Sequence, residues 1–374
     1  MISPNKLWWI FSPKKELTKI YLSMAIREFA ISLIGIFIPI YLYVERGFSF
    51  VDTLSFFIFY SVTFAIITPL AAKFSARFGV KHSILLSIPL YLTSIGLLYG
   101  LNHFNISLII ISSLLGASQA FYWMGMHLEF LRASDKKHRG EEVGKRIGFA
   151  LITGMTAPFF GGLLISLFGF GLVFSFTTVM LISSALILFR SKDKHTSYNF
   201  SLRSVINKDH WKDSLFFVSE GTQVMAEGVI WPLFIFFILG SYLSLGLIGS
   251  LLSGISAILV VVFGKFSDHT NKRKIIRWSS VMDSLAWVMR AFVMTVSQVY
   301  AATIIAAMAK GIKDSPVGAL EYDKAKGEAT AYFVSREIFI CLGRILMLMF
   351  VLMTNSLSGG LLFQSLANLA ALLF

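Results

Sequence analysis

Ala72-Lys73-Phe74-Ser75-Ala76 and Gly264-Lys265-Phe266-Ser267-Asp268 are nearly the same five letters, about 192 residues apart, and each closes an apolar segment. Basic residues follow each copy: Arg77 and Lys81 after the first, Lys272, Arg273 and Lys274 after the second. A second echo keeps almost the same offset, with Gly35-Ile36-Phe37-Ile38-Pro39 returning as Gly228-Val229-Ile230-Trp231-Pro232. Two unrelated echoes at one offset predict a duplicated unit of roughly 190 residues. In so apolar a chain, duplicated halves are expected to be membrane bundles related by a pseudo-two-fold axis.

Of the 374 residues 56% are hydrophobic and only 14% charged, too little polar surface for a soluble chain of this length. Lipid is therefore the expected solvent. The net charge of +13 follows topology rather than nucleic acid, which is not an expected partner. Basic residues gather in alternate connections, from Lys14, Lys15 and Lys19 through Arg132 to Arg146, Arg190 to Lys212 and Lys265 to Arg277, to Lys324 and Lys326. The other connections hold almost none, Arg46 being the clear exception. This asymmetry predicts a multi-pass protein of the plasma (inner) membrane with both termini cytoplasmic. The first apolar stretch contains Arg27-Glu28 and is too long for a signal peptide, so it reads as a retained span. Trp8 and Trp9, beside Lys6, Lys14 and Lys15, read as an interfacial anchor. The single cysteine, Cys341, excludes an internal disulfide and a thiolate metal site. No metal or cofactor is expected.

Apolar runs of about 20 residues predict an all-α membrane protein of twelve transmembrane helices in two pseudo-symmetric six-helix bundles. The first six are expected near 20–43, 53–72, 83–101, 105–130, 145–167 and 170–190. The second six are expected near 214–239, 242–264, 276–297, 299–320, 331–353 and 358–374. The domains are then 1–190, a cytoplasmic linker at 191–213, and 214–374. The last span is short and ends at Phe374 without a basic tail, so a thin or truncated final helix is expected.

Six plus six helices, a polar middle linker and a basic loop after the second span of each half resemble the major facilitator superfamily over the whole chain. The most specific part is the loop signature, carried in the second half by Gly264, Asp268, Lys272 and Arg273. The first half keeps Arg77, Gly79 and Lys81 but has Ala72 and Ala76 in place of the Gly and the Asp. The resemblance implies a cytoplasmic latch in this loop, with Asp268 its better candidate. The fifth span carries Gly144, Thr153, Ala157, Pro158, Gly161 and Gly162, which is similar to the family's exporter signature. Its bland reading is a small-residue packing face with a proline bend. The Arg often found ahead of a Gly in the fourth span is absent from Ser112-Ser113-Leu114-Leu115-Gly116.

Ionisable groups inside spans are costly and need a reason. Glu227, midway along the seventh span, has Gln223 and Glu220 on its face. Desolvation disfavours a charged carboxyl, so Glu227 is the first candidate for a coupling proton, with Glu28 second. The alternative for Glu227 is a static pair with Arg344 or Arg290. Arg27 and Glu28 point to different faces and are expected to have separate partners, Arg27 at a cytoplasmic gate or in an inter-helix pair. Arg344 is expected to hold an anionic substrate group or to neutralise Glu227. Asp283 and Arg290 are read as structural. Lys310, Lys313 and Asp314, beside Gly311 and Pro316, are candidates for a bending cavity wall. Gln119, Tyr122, Trp123, Met126 and His127 form a stripe that is either packing or substrate surface. His127 is read as structural, with a proton relay as the alternative.

No phosphate-binding loop, zinc motif or nucleophile elbow occurs, so no enzymatic activity is expected. The expected function is secondary active transport of a small molecule by alternating access, as a monomer. Proton-coupled export of amphipathic compounds is the favoured form. Uptake or facilitated transport of a polar or anionic metabolite, or a non-transporting receptor on the same scaffold, are the alternatives. Gln223, Lys310, Asp314, Arg344, Gln119, Tyr122 and Trp123 would line the cavity.

Overall fold

The computed structural model describes residues 15–133, 138–189, 211–325 and 329–374, with the backbone alone for 15–21 and 132–133. Trp8, Trp9 and most of the 191–213 linker lie outside the described residues. Among those described, twelve helical segments follow one another without a strand. Helix α1 runs from Lys15–Ile34 through shorter turns to Tyr41–Glu45; α2 is Phe50–Phe78, α3 Val80–Gly100 and α4 Leu108–Ala133. Helix α5 comprises Arg139–Gly154 and Ala157–Phe168, and α6 is Phe170–Phe189. Helix α7 comprises Trp211–Met225, Ala226–Ile230 and Trp231–Leu239, followed by α8 (Tyr242–Asp268) and α9 (Lys272–Ala291). The last three are α10 (Val296–Lys324), α11 (Ala329–Thr354) and α12 (Leu357–Ala367 with Asn368–Leu372).

Nine of these are long and apolar enough on their own to cross a membrane. Helices α9 and α10 are more polar because they carry interior charges such as Asp283, Arg290, Lys310 and Lys313, and α12 is short. The repeated Gly-x-x-x-Pro marks the same irregularity in each half. In α1 a 3₁₀ turn at Gly35–Phe37 precedes Pro39 and a π turn follows it at Tyr41–Glu45; in α7 a π turn at Ala226–Ile230 precedes Pro232. Proline removes a donor from the ladder, and the widened turn absorbs the mismatch. Helix α5 breaks between Gly154 and Ala157, one turn before its own kinking Pro158 is seated.

The halves meet along two seams, α5 on α8 and α2 on α11. The α5–α8 seam is close because both sides are glycine. A β-carbon at Gly162 would stand 2.3 Å from the Tyr242 carbonyl oxygen, and one at Gly144 would stand 2.8 Å from that of Val260. Pro158 fits against Gly246 and Gly249, and Gly161 lets α1 approach at Leu33. Small residues thus give α5 its packing on both neighbours. We call the end of the bundle that carries the basic loops the basic end.

Candidate functional site

At the basic end, the Asp268 carboxylate lies across the N-terminus of α5. Its two oxygens accept the backbone N–H groups of Gly140 and Glu141, each at 2.8 Å. The first turn of any helix leaves N–H groups unpaired and carries a partial positive charge, so a carboxylate from another element satisfies both needs. Gly140 allows the approach, since a β-carbon there would sit 2.7 Å from the Gly264 carbonyl oxygen. Ser315 of α10 adds a bond to the Gly140 carbonyl at 2.9 Å. Asp323, at the end of α10, holds Arg139 of α5 and Lys272 of α9, both at 3.0 Å. Arg139 also donates to the Tyr322 carbonyl at 2.8 Å.

One layer deeper, four helices converge on a buried imidazole. His127 of α4 lies 2.8 Å by Nδ1 from the Tyr322 hydroxyl of α10 and 3.2 Å by Nε2 from Glu337 of α11. Its ring stacks on Phe333 at 4.5 Å between centroids. Arg146 of α5 donates to the Tyr322 hydroxyl at 2.9 Å, and Arg336 is shared between Glu337 and Glu321. At the opposite end, the Tyr242 hydroxyl donates to Glu45, with Phe37 and Phe170 edge-on to its ring.

Within the second half, Glu227 is held by Arg290 through two bonds at 3.2 and 3.3 Å. The Arg290 guanidinium is wholly buried between the Trp231 and Trp287 rings, at 4.7 and 4.5 Å. Lys313 is also wholly buried and bonds Glu220 at 3.1 Å, Asp283 at 3.3 Å and the Asn368 amide oxygen at 3.3 Å. Gln223 joins this cluster through Asp283 and Lys313. Lys310, one turn before Lys313, and Asp314, the residue after it, are half-buried.

Within the first half, Arg27 and Glu28 pair with each other at 3.3 Å and share Tyr122. The Arg27 guanidinium covers the Tyr122 ring at 3.3 Å, and the Tyr122 hydroxyl donates to Glu28 at 3.2 Å. Arg344 of α11 faces α2, donating to the Tyr60 hydroxyl at 3.3 Å with the Phe64 ring 4.9 Å away.

The Major Facilitator Superfamily model matches residues 20–348. The chain belongs to that superfamily. No curated protein sequence matches it. Among solved structures, a bacterial homologue of the iron transporter ferroportin in an outward-facing state is similar over 96% of this chain and 97% of its own, with a TM-score of 0.68 and 15% identity. The human organic anion transporter MFSD10 (TETRAN) is similar over 97% of this chain and 100% of its own, with a TM-score of 0.68 and 12% identity. At such identities the likeness is one of fold.

For this superfamily member, several expectations need correction. Arg27 and Glu28 do not have separate partners, because their side chains are long enough to curl together over Tyr122. Tyr122 offers no open ring to a cavity: it is 1% exposed and its face is taken by Arg27. Gln223 is engaged in the Lys313 cluster, with bonds to Asp283 and Lys313. Arg344 does not neutralise Glu227, which takes the other alternative, Arg290. The loop after α2 differs from its copy: Arg77 stacks on Phe78 and Lys81 donates to the Phe189 carbonyl, both in the first half. Gly79, at φ +104°, makes the turn there. Gln119 is buried, and Trp123 is half-buried against His127. Arg273 lines a groove with Lys274, Arg277 and Trp278 on the outer face of α9, away from the interior charges. The residues that sequence reading did not assign, Tyr322, Glu337, Arg336, Arg139 and Arg146, come from helices whose adjacency no spacing reveals.

Proposed function

We propose that the chain is a secondary active transporter that carries a small molecule across the membrane by alternating access, driven by protons. The observation that carries this reading is the kind of contact that joins the halves at the basic end. Asp268, Arg139, His127 and Tyr322 form hydrogen bonds and ion pairs between helix ends and side chains, set beside a buried apolar cluster in which Phe130 and Val143 of the first half meet Phe333 and Val334 of the second. The polar bonds exchange for water with a small net change, which supports an end that opens while each half moves as a unit. Glycine-lined packing of α5 on α8 supplies a seam along which two rigid bodies rock.

Glu28 is the better candidate for the coupling proton. It is half-exposed, with a relative side-chain accessibility of 29% against 14% for Glu227, whose charge Arg290 answers with two bonds. The positive-inside pattern supports a cytoplasmic basic end and a plasma-membrane location. The small-residue pattern of α5 supports export. No group of three His, Cys, Asp or Glu among the described residues could hold a metal ion, so a metal cargo has no support in them.

The test is a flux screen. Proteoliposomes with an imposed pH gradient are incubated in a defined metabolite mixture, and their contents are read by mass spectrometry. We expect at least one species to be concentrated or depleted against its gradient, with the effect abolished by a protonophore. Contents equal to those of protein-free liposomes for every species would contradict transport. Saturable binding without flux would favour a receptor.

A further inference from the structure

An arginine buried in a protein keeps its proton, so its charge must be answered by something. Four arginines are fully buried among the described residues, and three are answered by a carboxylate. Arg27 has Glu28 at 3.3 Å, Arg139 has Asp323 at 3.0 Å, and Arg290 has Glu227 at 3.2 Å. Arg344 is 6% exposed and has no carboxylate in ion-pair contact. Its hydrogen-bond partner is a neutral hydroxyl, that of Tyr60 at 3.3 Å, while its Nε, like that of Arg139 and Arg290, has no hydrogen-bond partner. Two ring faces complete its surroundings, Phe64 at 4.9 Å and Tyr60 at 5.6 Å. The acid on its own helix face, Glu337, stands two turns away and is already bonded to His127 and Arg336.

The backbone beneath Arg344 is fixed. Helix α11 lies against α7 through Gly343 and Gly221, where a β-carbon would come within 1.9 Å of the Val218 and Ile340 carbonyl oxygens. Arg344, the next residue, is turned about 100° from that contact, and its side chain reaches α2 of the other half. The guanidinium therefore sits in a seam between the two halves, near mid-span, and is held there at the expense of an unanswered charge.

We propose that Arg344 is an anion subsite and that the substrate is a small organic anion, bearing a carboxylate or phosphate that the guanidinium takes with two parallel N–H donors. That geometry is the one a guanidinium fork offers and a lysine does not. Tyr60 and Phe64, one turn apart on α2, supply a flat aromatic wall on one side, which suits an organic body rather than a bare inorganic ion. Because Tyr60 belongs to the first half and Arg344 to the second, a bound anion is gripped by both, and its charge lowers the penalty of closing the seam around the guanidinium. This inference rests on the transport reading above and names the substrate class.

The test uses the full chain in detergent with benzoate and phenyl phosphate as probes, and benzamide and benzyl alcohol as their uncharged counterparts. At least one anion is expected to raise the wild-type Tm beyond its neutral counterpart. Arg344→Gln is expected to weaken the apparent affinity about 10- to 100-fold, the loss of one charge-assisted pair, with Arg344→Lys between the two. Unliganded Arg344→Gln should be at least as stable as wild type, because it removes a charge that nothing answers. Arg290→Gln should be less stable, because it strands Glu227. Three results would each overturn the subsite: no anion effect beyond the neutral probes, an anion effect that survives Arg344→Gln, or a stability loss in Arg344→Gln equal to that of Arg290→Gln. Anion binding without any movement of the bundle ends would instead overturn the transport reading and leave the subsite standing.

Discussion

The Nδ1 of His127 lies 2.8 Å from the hydroxyl of Tyr322, and the two residues belong to opposite halves of the bundle. Arg146 donates to the Tyr322 oxygen, which leaves the hydroxyl's own proton available to Nδ1. We assign the tautomer with the proton on Nε2, where His127 donates to Glu337. Every member of this chain is satisfied only while the basic end is closed. Tyr322→Phe should strand Nδ1 of His127 in the interior and destabilise the closed end by about 1–3 kcal/mol. A spin-label distance across the basic end should then show a larger open fraction, with helix content unchanged by circular dichroism.

Asp268 makes a further cross-half contact that a single substitution isolates. Asp268→Asn keeps one acceptor for the α5 N-terminus but removes the charge that faces its dipole. The expected effect is a loss of about 0.5–2 kcal/mol from the closed basic end. Raised salt should reproduce part of it in the wild type and little of it in the variant. An identical salt response in both would remove the carboxylate from the latch.

Glu227 and Arg290 should behave as a unit. Either single neutralisation strands a buried partner and is expected to lower stability by about 3–5 kcal/mol, while the double Glu227→Gln, Arg290→Gln variant recovers most of that loss. The check is a double-mutant cycle on thermal unfolding. Additive losses would mean that the pair seen at 3.2 Å contributes no coupling.

Glu28 should separate coupling from translocation. Glu28→Gln is expected to keep exchange of whichever species the liposome screen identifies and to lose the response of that species to a pH gradient. Full gradient-driven accumulation by this variant would move the coupling site elsewhere.

Much of this fold was legible in the letters. Apolar runs placed the nine helices that are long and apolar enough to span on their own, because a membrane span must satisfy its backbone internally and carry few charges along about 20 residues. The repeated Gly-x-x-x-Pro marked the irregular turns of α1 and α7, and the intact Gly264-to-Asp268 copy marked the seam that Asp268 closes. Pairings inside the bundle were not legible, because they depend on which helices are neighbours. The letters narrow the partner of Glu227 to Arg344 or Arg290 without choosing between them, and nothing near His127 indicates Glu337, 210 residues on. Arg27 and Glu28 were misread for a local reason: their helix positions diverge, but their flexible side chains converge on one tyrosine.

The central claim is that the two ends open in alternation, and paired distance measurements address it most directly. With buried Cys341 replaced by Ser, spin labels at Arg77 and Arg273 report the basic end, and labels at Asn105 and Ser297 report the other; all four positions are exposed. The account predicts two populations at each end whose weights shift in opposite directions when pH or substrate is changed. One fixed distance at both ends under every condition, or two ends that widen together, would contradict it.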